Sequence, residues 1–393
     1  MPTLGVYIQV PFCASKCSFC NFSSGVERSN IFDQYTRSLQ TEITGLSGFY
    51  AERAIPGEIL GFPLDSLYFG GGTPTLLGAE RLARLVRTLR AHLKFSESVE
   101  FTLETTPGSV DAALLQALGG LGVNRLSVGA QSFDDHELRA VGRLHSAADT
   151  QKLVARARQT GFTNLSLDVI AGLPHQTEAS FRGTLETAAK LRPEHISLYL
   201  FEIDEKSRLG REVLHQGDRY DAATVPDEEF MAEAYELGRT FLSGEGYVQY
   251  EISNFARPGY ESHHNRKYWK LDPYVGLGAG AHSSDGLRRW ANQVDARRYL
   301  EMLDGGHSPI DEWRVLPLEE QIEEFCFLGL RQREGIDLSG ARQRWGSDRV
   351  KPWEDKIQSM AAEGWLVRDG DRVQLSSDSY LVSNEIFQEF VSV

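Results

Sequence analysis

Near its start the chain reads Leu4-Gly-Val-Tyr-Ile-Gln-Val-Pro-Phe-Cys13-Ala-Ser-Lys-Cys17-Ser-Phe-Cys20. The apolar run at 4–10 predicts a strand, and apolar residues at helical spacing follow at 31–46. A strand, a loop and a helix in this order form the first unit of a parallel α/β fold. In such folds functional groups collect on the loops that follow the strands. The three cysteines lie on the first such loop.

The same alternation continues through the first half of the chain. Further short apolar runs predict strands at 64–69, 99–104, 125–128, 165–170 and 196–200. Helical patterns separate them at 79–93, 110–118, 150–160 and 180–191. Six strands joined by helical crossovers predict an α/β fold built as a partial (β/α)6 barrel.

The remaining sequence predicts two further parts. Residues 1–205 form the barrel core, and 206–309 extend it with an acidic helix at 227–242 and a glycine-rich strand at 274–281. Residues 310–393 carry helical patterns at 318–328 and 353–363. A hairpin follows around Arg368-Asp-Gly-Asp-Arg372. Helices followed by a hairpin predict a small α+β domain that resembles a winged helix.

Composition restricts the class of protein. The 393 residues are 41% hydrophobic and 24% charged, which is typical of a globular protein. The net charge of −14 argues against a general nucleic-acid binder, because phosphates would be repelled. The four cysteines do not form a disulfide pattern, and we find neither a signal peptide nor a run of about 20 apolar residues. We therefore expect a cytoplasmic protein without a transmembrane segment.

The cysteine spacing C-x3-C-x2-C favours an iron–sulfur cluster. Cys13, Cys17 and Cys20 can each bind one iron of a [4Fe–4S] cluster, which leaves the fourth iron open. A closed zinc site would need a fourth ligand, and Asn21 and Phe22 follow instead. A zinc site and cysteines that merely pack stay open as alternatives. Cys326 lies in an apolar helical stretch, where a buried free cysteine is the better interpretation.

Other candidate site residues lie where predicted strands end. Gly70-Gly-Gly-Thr-Pro74 follows the second strand, and glycines there allow the backbone to approach a ligand closely. A simple turn is the alternative. Glu104, Gln131, Arg143 and Asp168 lie at later strand or loop ends, and each of them alone is equally compatible with a helix cap or a surface charge.

Taken in order, these motifs resemble the radical S-adenosylmethionine superfamily, in its coproporphyrinogen oxidase-like branch. The resemblance implies a [4Fe–4S] cluster on Cys13, Cys17 and Cys20, with S-adenosylmethionine bound at its open iron. Reductive cleavage of that molecule would give a 5′-deoxyadenosyl radical. The residues that the resemblance places on S-adenosylmethionine are Tyr7, Phe19, Gly71, Gly72, Thr73, Glu104, Gln131, Arg143 and Asp168.

Within the branch the sequence is closer to the HemW family of haem-binding proteins than to the oxygen-independent oxidase. The oxidase has a further cysteine at the position of Phe22, and an N-terminal extension where six residues precede Tyr7 here. The stretch His263-His-Asn-Arg-Lys-Tyr-Trp269 matches the family pattern HNxxYW, with His264 as the implied haem ligand. His282 also fits the family pattern. A histidine bonded within the core is the alternative for His264.

The resemblance implies a chaperone-like protein that binds haem and delivers it to acceptor proteins, including respiratory ones, and that receives electrons from a donor. Coproporphyrinogen III oxidase is the alternative. We expect the scaffold of a radical enzyme without that oxidase activity, and leave open whether the protein is an enzyme at all. A transcription regulator that uses the last domain is disfavoured, because that domain is itself acidic.

Overall fold

The computed structural model describes residues 2–391, and two sheets organise the chain. The strands are β1 (Leu4–Val10), β2 (Leu64–Gly71), β3 (Phe95–Thr105), β4 (Arg125–Gln131), β5 (Leu165–Ala171), β6 (His195–Leu200), β7 (Val248–Gln249), β8 (Asn254–Ala256), β9 (Tyr274–Leu277), β10 (His282–Ser284), β11 (Arg288–Asn292), β12 (Ile310–Val315), β13 (Ile336–Asp337), β14 (Leu366–Asp369) and β15 (Arg372–Leu375). The order in the main sheet is β12-β11-β10-β9-β1-β2-β3-β4-β5-β6-β8-β7, and the second sheet has the order β13-β15-β14.

The helices connect and cover these strands. They are α1 (Ser29–Glu52), α2 (Gly78–His92), α3 (Ala112–Leu121), α4 (Asp135–Ala140), α5 (Ala147–Gln159), α6 (Glu178–Lys190), α7 (Arg208–Leu214), α8 (Glu228–Gly244), α9 (His263–Lys270), α10 (Ala296–Asp304), α11 (Leu318–Leu330), α12 (Leu338–Trp345), α13 (Ser347–Ala362) and α14 (Ser383–Gln388). None of the helices within 2–391 combines the length and the apolar character needed to cross a membrane.

The six predicted strands are confirmed as neighbours in chain order. Strands β1 to β6 pair in parallel, each with the next. The sheet continues beyond β1 with β9, which is also parallel to it. The strand order runs from β12 to β7 without closing, so the α/β fold is a partial barrel. All six carboxyl ends therefore lie at one rim.

Local sequence explains where the crossover helices begin and which face they bury. Ser146 caps α5 and Thr177 caps α6, each within a capping box. The apolar positions Leu82, Leu85 and Leu89 of α2 are buried against the sheet, as their helical spacing predicts. Strands β1 and β5 are each buried at six of seven positions, as expected for parallel strands that are covered on both faces.

A smaller α+β unit ends the chain, with α11 to α14 around the three-stranded sheet. The predicted hairpin is confirmed as β14 and β15, with Gly370 at a φ of 60° in the turn. Strand β12 pairs with β11, so the main sheet extends to Val315. The division at 309/310, like that at 205/206, stays a prediction.

Candidate functional site

A cavity of about 650 Å³ opens at the rim where β1 to β6 end. Its wall is formed by the cysteine loop, by the loops that follow β2, β3 and β4, by Asp168 and Ile170 of β5, and by the end of β6. This is where ligands bind in parallel α/β folds, and the volume lies in the range of small-molecule sites. The predicted residues that line it are Cys13, Cys17, Phe19, Cys20, Gly71, Gly72, Thr73, Glu104, Gln131, Arg143 and Asp168.

The cysteine loop offers three free thiols to this cavity. Burial raises the pKa of the Cys13 thiol, and the neighbouring Cys20 and Cys17 add to that rise. Within 2–391 no three His, Cys, Asp or Glu side chains are grouped to hold a single metal ion. Three thiols along one cavity wall fit a cluster, because a [4Fe–4S] cluster presents a separate iron to each sulfur.

Segments distant in the sequence hold the cysteine loop in place. Asn21 Nδ2 donates to Asp204 Oδ2 at 2.7 Å, and the Leu209 backbone N–H donates to the Ser18 carbonyl at 2.8 Å. The Arg208 guanidinium donates to the Lys16 carbonyl. The loop therefore rests on the segment 204–209, which follows β6.

Backbone hydrogen bonds within the protein fix the conformation of the glycine segment after β2. The Gly72 N–H donates to the Val10 carbonyl at 2.8 Å, and the Thr73 N–H donates to the Phe12 carbonyl at 2.6 Å. A Cβ on residue 72 would lie 2.4 Å from the Phe12 carbonyl oxygen, so only glycine allows this approach. These glycines thus fix the start of the cysteine loop beside the cavity.

Glu104 is a buried carboxyl at the end of β3. Its Oε1 accepts a hydrogen bond from the Tyr68 hydroxyl at 2.8 Å, and its Oε2 accepts one from the Gly71 N–H at 3.1 Å. Burial raises its pKa to about 7 despite these donors, and the nearby Asp168 carboxyl adds to the rise. Two protein donors leave further lone pairs of the carboxylate for the hydroxyls of a ribose.

Asp168, which the sequence places at a strand or loop end, lies in the middle of β5 and is a second buried carboxyl. The Ser127 hydroxyl donates to its Oδ1 at 3.3 Å. Burial raises the pKa of Asp168. Two buried carboxyls on one cavity wall favour a ligand that brings hydrogen-bond donors or positive charge.

Gln131 and Arg143 come from the two ends of the short α4 region. Gln131 has a φ of 67° where the pairing of β4 with β5 shifts register. A left-handed backbone in a non-glycine residue costs energy and is common at functional sites. Arg143 Nη2 donates to the Gly129 carbonyl at 2.6 Å, and Nη1 donates to Cys17 Sγ at 3.4 Å.

Apolar side chains complete the site. Phe19 packs against a small buried cluster that includes Val141, Ile170 and Leu209. Phe22 and Leu144 both line the cavity, and they are 63% and 74% exposed. The mouth of the cavity is therefore apolar, with no thiol at residue 22.

Two predicted residues lie away from the cavity lining. Tyr7 donates its hydroxyl to Gln9 Oε1 at 2.9 Å and stacks on Tyr68. It lies two residues closer to the amino end of β1 than Gln9, which places it roughly 7 Å deeper in the barrel. Its contact with S-adenosylmethionine stays a prediction.

His264 lies at the opposite end of the barrel. Its ring is 1% exposed, with Nδ1 2.9 Å from Ser66 Oγ and Nε2 2.8 Å from the Tyr268 hydroxyl. Burial lowers its pKa to about 3. Both ring nitrogens are engaged, which favours the alternative of a core histidine. As a haem ligand it stays a prediction, and that role requires at least one of these bonds to break.

The helix that carries this motif closes the barrel. The N–H groups of His263 and His264 each donate to the Glu100 carboxylate at 2.9 Å. Lys267 Nζ lies 2.8 Å from Asp65 Oδ1, at the start of β2. Helix α9 therefore covers the amino ends of the strands, and the sequence pattern alone does not indicate that position.

Several further side chains, which no sequence motif indicated, shape the site. Tyr68 orients Glu104, Ser127 bonds Asp168, and Tyr199 lines the cavity at the end of β6. The available signal is strand alternation, since Tyr68 and Glu104 face the barrel interior in register with neighbouring strands.

Comparisons with known proteins agree with this geometry. Residues 7–188 match the Radical SAM superfamily model, and 316–380 match the HemN C-terminal domain. The heme chaperone HemW of Bacillus subtilis is 34% identical over 98% of both chains. The heme chaperone HemW of Escherichia coli is 28% identical over 100% of this chain and 99% of that one.

A solved structure shares the whole architecture. The coproporphyrinogen III oxidase HemN of Escherichia coli, described as a radical SAM enzyme, superposes with a TM-score of 0.85 at 26% identity. The match covers 99% of this chain and 90% of that one. Radical SAM proteins carry a [4Fe–4S] cluster and S-adenosylmethionine, and the cavity has the thiols and polar groups for both. The protein therefore belongs to the HemW family of the radical SAM superfamily.

Proposed function

We propose that this protein is a haem chaperone, which binds haem and passes it to acceptor proteins. The observation that carries the proposal is the 34% identity over 98% of both chains to the heme chaperone of Bacillus subtilis. Phe22, which stands exposed where the oxidase has a further cysteine, supports it.

The cavity residues have assignable roles in this proposal. Cys13, Cys17 and Cys20 hold the cluster, and Arg143 donates a hydrogen bond to one of its ligand sulfurs. Glu104 and Asp168 accept hydrogen bonds from S-adenosylmethionine, and Phe19 excludes water beside it. When bound, the cluster supplies one electron to S-adenosylmethionine. Every other contribution of the chain is binding and orientation.

The test measures haem binding by the protein and haem transfer from it to an acceptor. Anaerobically purified protein with a reconstituted cluster is titrated with haem, and the loaded protein is mixed with apomyoglobin as a generic acceptor. The proposal is supported if a Soret band forms on titration and is then replaced by the Soret band of myoglobin. This transfer must be faster than the transfer of haem from albumin to apomyoglobin. Failure to bind haem, or release no faster than from albumin, would overturn it.

The oxidase is the second candidate, because the TM-score of 0.85 places this chain on the scaffold of the Escherichia coli oxidase. The same preparation is incubated with coproporphyrinogen III, S-adenosylmethionine and a low-potential reductant. We expect S-adenosylmethionine to be consumed slowly or not at all, and no decarboxylated porphyrinogen to form. Product formed over many turnovers would establish the oxidase instead.

A further inference from the structure

Arg125, the first residue of β4, is a buried cation that none of the roles described so far uses. It is 2% exposed, and its Nε has no hydrogen-bond partner. In the described part of the chain no carboxylate forms a direct ion pair with its guanidinium. An arginine side chain does not lose its proton in proteins, so this charge is permanent. Buried charges need opposite charges nearby, and the groups around Arg125 therefore indicate its role.

The alternation of β4 places Arg125 beneath the cavity. It lies two residues before Ser127, whose hydroxyl donates to Asp168 Oδ1 at 3.3 Å, so both side chains point into the barrel. Ser127 is paired with Glu104 of β3, and Arg125 is paired with Thr102. Arg125 therefore starts roughly 7 Å closer to the amino ends of the strands than Glu104 does.

Carboxyls lie on both sides of this guanidinium. Toward the amino ends of the strands it faces Glu100, whose carboxylate already accepts two backbone N–H groups of α9. Toward the cavity it faces Glu104 and Asp168. Burial raises the pKa of both of these carboxyls, and the charge of Arg125 opposes that rise in each. Arg125 is thus a cation that the two cavity carboxyls share.

The other titratable groups around Glu104 do not supply a positive charge. They are Tyr7 on β1, Tyr68 on β2, Asp168 on β5, Tyr199 on β6 and Tyr268 on α9. Burial raises the pKa of each tyrosine, so these four groups stay neutral near pH 7. Asp168 opposes the ionisation of Glu104, because like charges repel. Arg143 faces Asp168, but its guanidinium is engaged by the Gly129 carbonyl.

We propose that Arg125 is a positioning residue, whose charge inside the barrel keeps Glu104 and Asp168 ionised for contact with S-adenosylmethionine. The inference rests on the S-adenosylmethionine site of the proposed function. An ionised carboxylate accepts hydrogen bonds from hydroxyl and amino groups with both oxygens, whereas a protonated carboxyl must donate one. Arg125 acts through these two residues, because it does not line the cavity itself.

The test measures the ionisation of Glu104 with and without this cation. Arg125→Met removes the charge, and Arg125→Gln removes it but keeps hydrogen-bond donors, which helps the variant to fold. Calorimetric titration with S-adenosylmethionine from about pH 6 to 9 gives the midpoint of the affinity profile. We expect either neutral variant to move this midpoint upward from about 7 by roughly one pH unit. The affinity at neutral pH should then fall about fivefold.

Infrared spectra of the ligand-free chain give a second readout that does not depend on S-adenosylmethionine. The C=O band of the protonated Glu104 carboxyl, assigned by its loss in Glu104→Gln, should persist to higher pH in the neutral variants. Arg125→Lys keeps a cation and should keep the wild-type midpoint. Arg349→Met, at an exposed position of α13, changes the net charge as much as the neutral variants do and should change neither readout.

Unchanged midpoints and bands in a folded neutral variant would overturn the inference. A folded Arg125→Lys that behaves like the neutral variants would also overturn it. A wild type that binds no S-adenosylmethionine at any pH would overturn it together with that site. Haem transfer to apomyoglobin is measured separately and decides whether the proposed function holds, so the two failures are distinguishable.

Discussion

Arg143 lies beside Cys17 on the cavity wall, with Nη1 3.4 Å from the sulfur. Its second terminal nitrogen is fixed by the Gly129 carbonyl at 2.6 Å, so the guanidinium is held in position before any ligand binds. Hydrogen bonds to ligand sulfurs and nearby positive charge raise the reduction potential of iron–sulfur clusters. We therefore propose for Arg143 a role toward the cluster besides its predicted contact with S-adenosylmethionine.

Replacing Arg143 with glutamine should lower the reduction potential of the cluster. Loss of one charge-assisted hydrogen bond corresponds to a shift on the order of 60 mV for a one-electron couple. The measurement is a redox titration monitored by electron paramagnetic resonance without S-adenosylmethionine. Arg139→Gln, at an exposed position of α4, is the matched control and should keep the wild-type potential. Equal potentials for Arg143→Gln and wild type would contradict the role of this bond.

The three cavity thiols and the fourth cysteine should respond differently to substitution. Cys17→Ser removes one predicted cluster ligand, so iron and acid-labile sulfide should fall sharply while far-ultraviolet circular dichroism stays unchanged. Cys326 is buried in α11, and burial raises its pKa well above the usual range. Cys326→Ser should therefore keep the cluster. Retention of about four irons per chain by Cys17→Ser would exclude it as a ligand.

His264 should matter for stability whatever it does for haem. His264→Ala leaves Ser66 and Tyr268 without their buried partner, which should lower the free energy of unfolding by roughly 2–4 kcal/mol. His263→Ala, at a partly exposed side chain beside Asp65, should change it by about 0.5 kcal/mol or less. Urea unfolding of both variants measures the difference, and similar values would argue against a structural role for His264.

Tyr268→Phe separates the two roles of this histidine. It frees Nε2 without removing the imidazole. If His264 must open to ligate haem, this variant should bind haem more tightly than the wild type in a Soret titration. If Tyr268→Phe and correctly folded His264→Ala both bind haem with the affinity of the wild type, His264 is not a haem ligand.

Affinity for S-adenosylmethionine should rise with pH through about 7. The pKa of Glu104 is raised to about 7, so its carboxyl is protonated below that pH and ionised above it. Ribose hydroxyls donate to the ionised form, so calorimetric affinity should increase roughly tenfold from about pH 6 to 8. Glu104→Gln cannot ionise and should bind weakly with little of this dependence. The same slope in the variant would assign the titration to another group.

The carboxyl-end rim could be predicted from the sequence because strand ends are local features. An apolar segment precedes Cys13, another precedes the glycines after Phe69, and a third ends at Glu104. Parallel pairing of these strands brings the three positions together. Depth within the barrel could not be predicted in this way. Tyr7 and Gln9 both face inward on β1, and the three-dimensional stagger of the strands leaves both outside the cavity lining.

The position of α9 also could not be predicted from the sequence. Its residues are polar and aromatic without an apolar stripe, since its partners are the polar groups of Asp65, Ser66 and Glu100. Ser66 lies 198 residues from its partner in the chain and Glu100 lies 163 residues from His263. Long-range polar contacts of this kind leave no periodic pattern in either segment.

The contacts between the cysteine loop and segment 204–209 also constrain the order of assembly during synthesis. The loop leaves the ribosome first, but Asp204, Arg208 and Leu209 follow only after about half of the chain has been translated. Until then the thiols sit on a nascent loop without its support. We therefore expect the loop to reach its final form late in synthesis, with the cysteines kept reduced while the barrel grows.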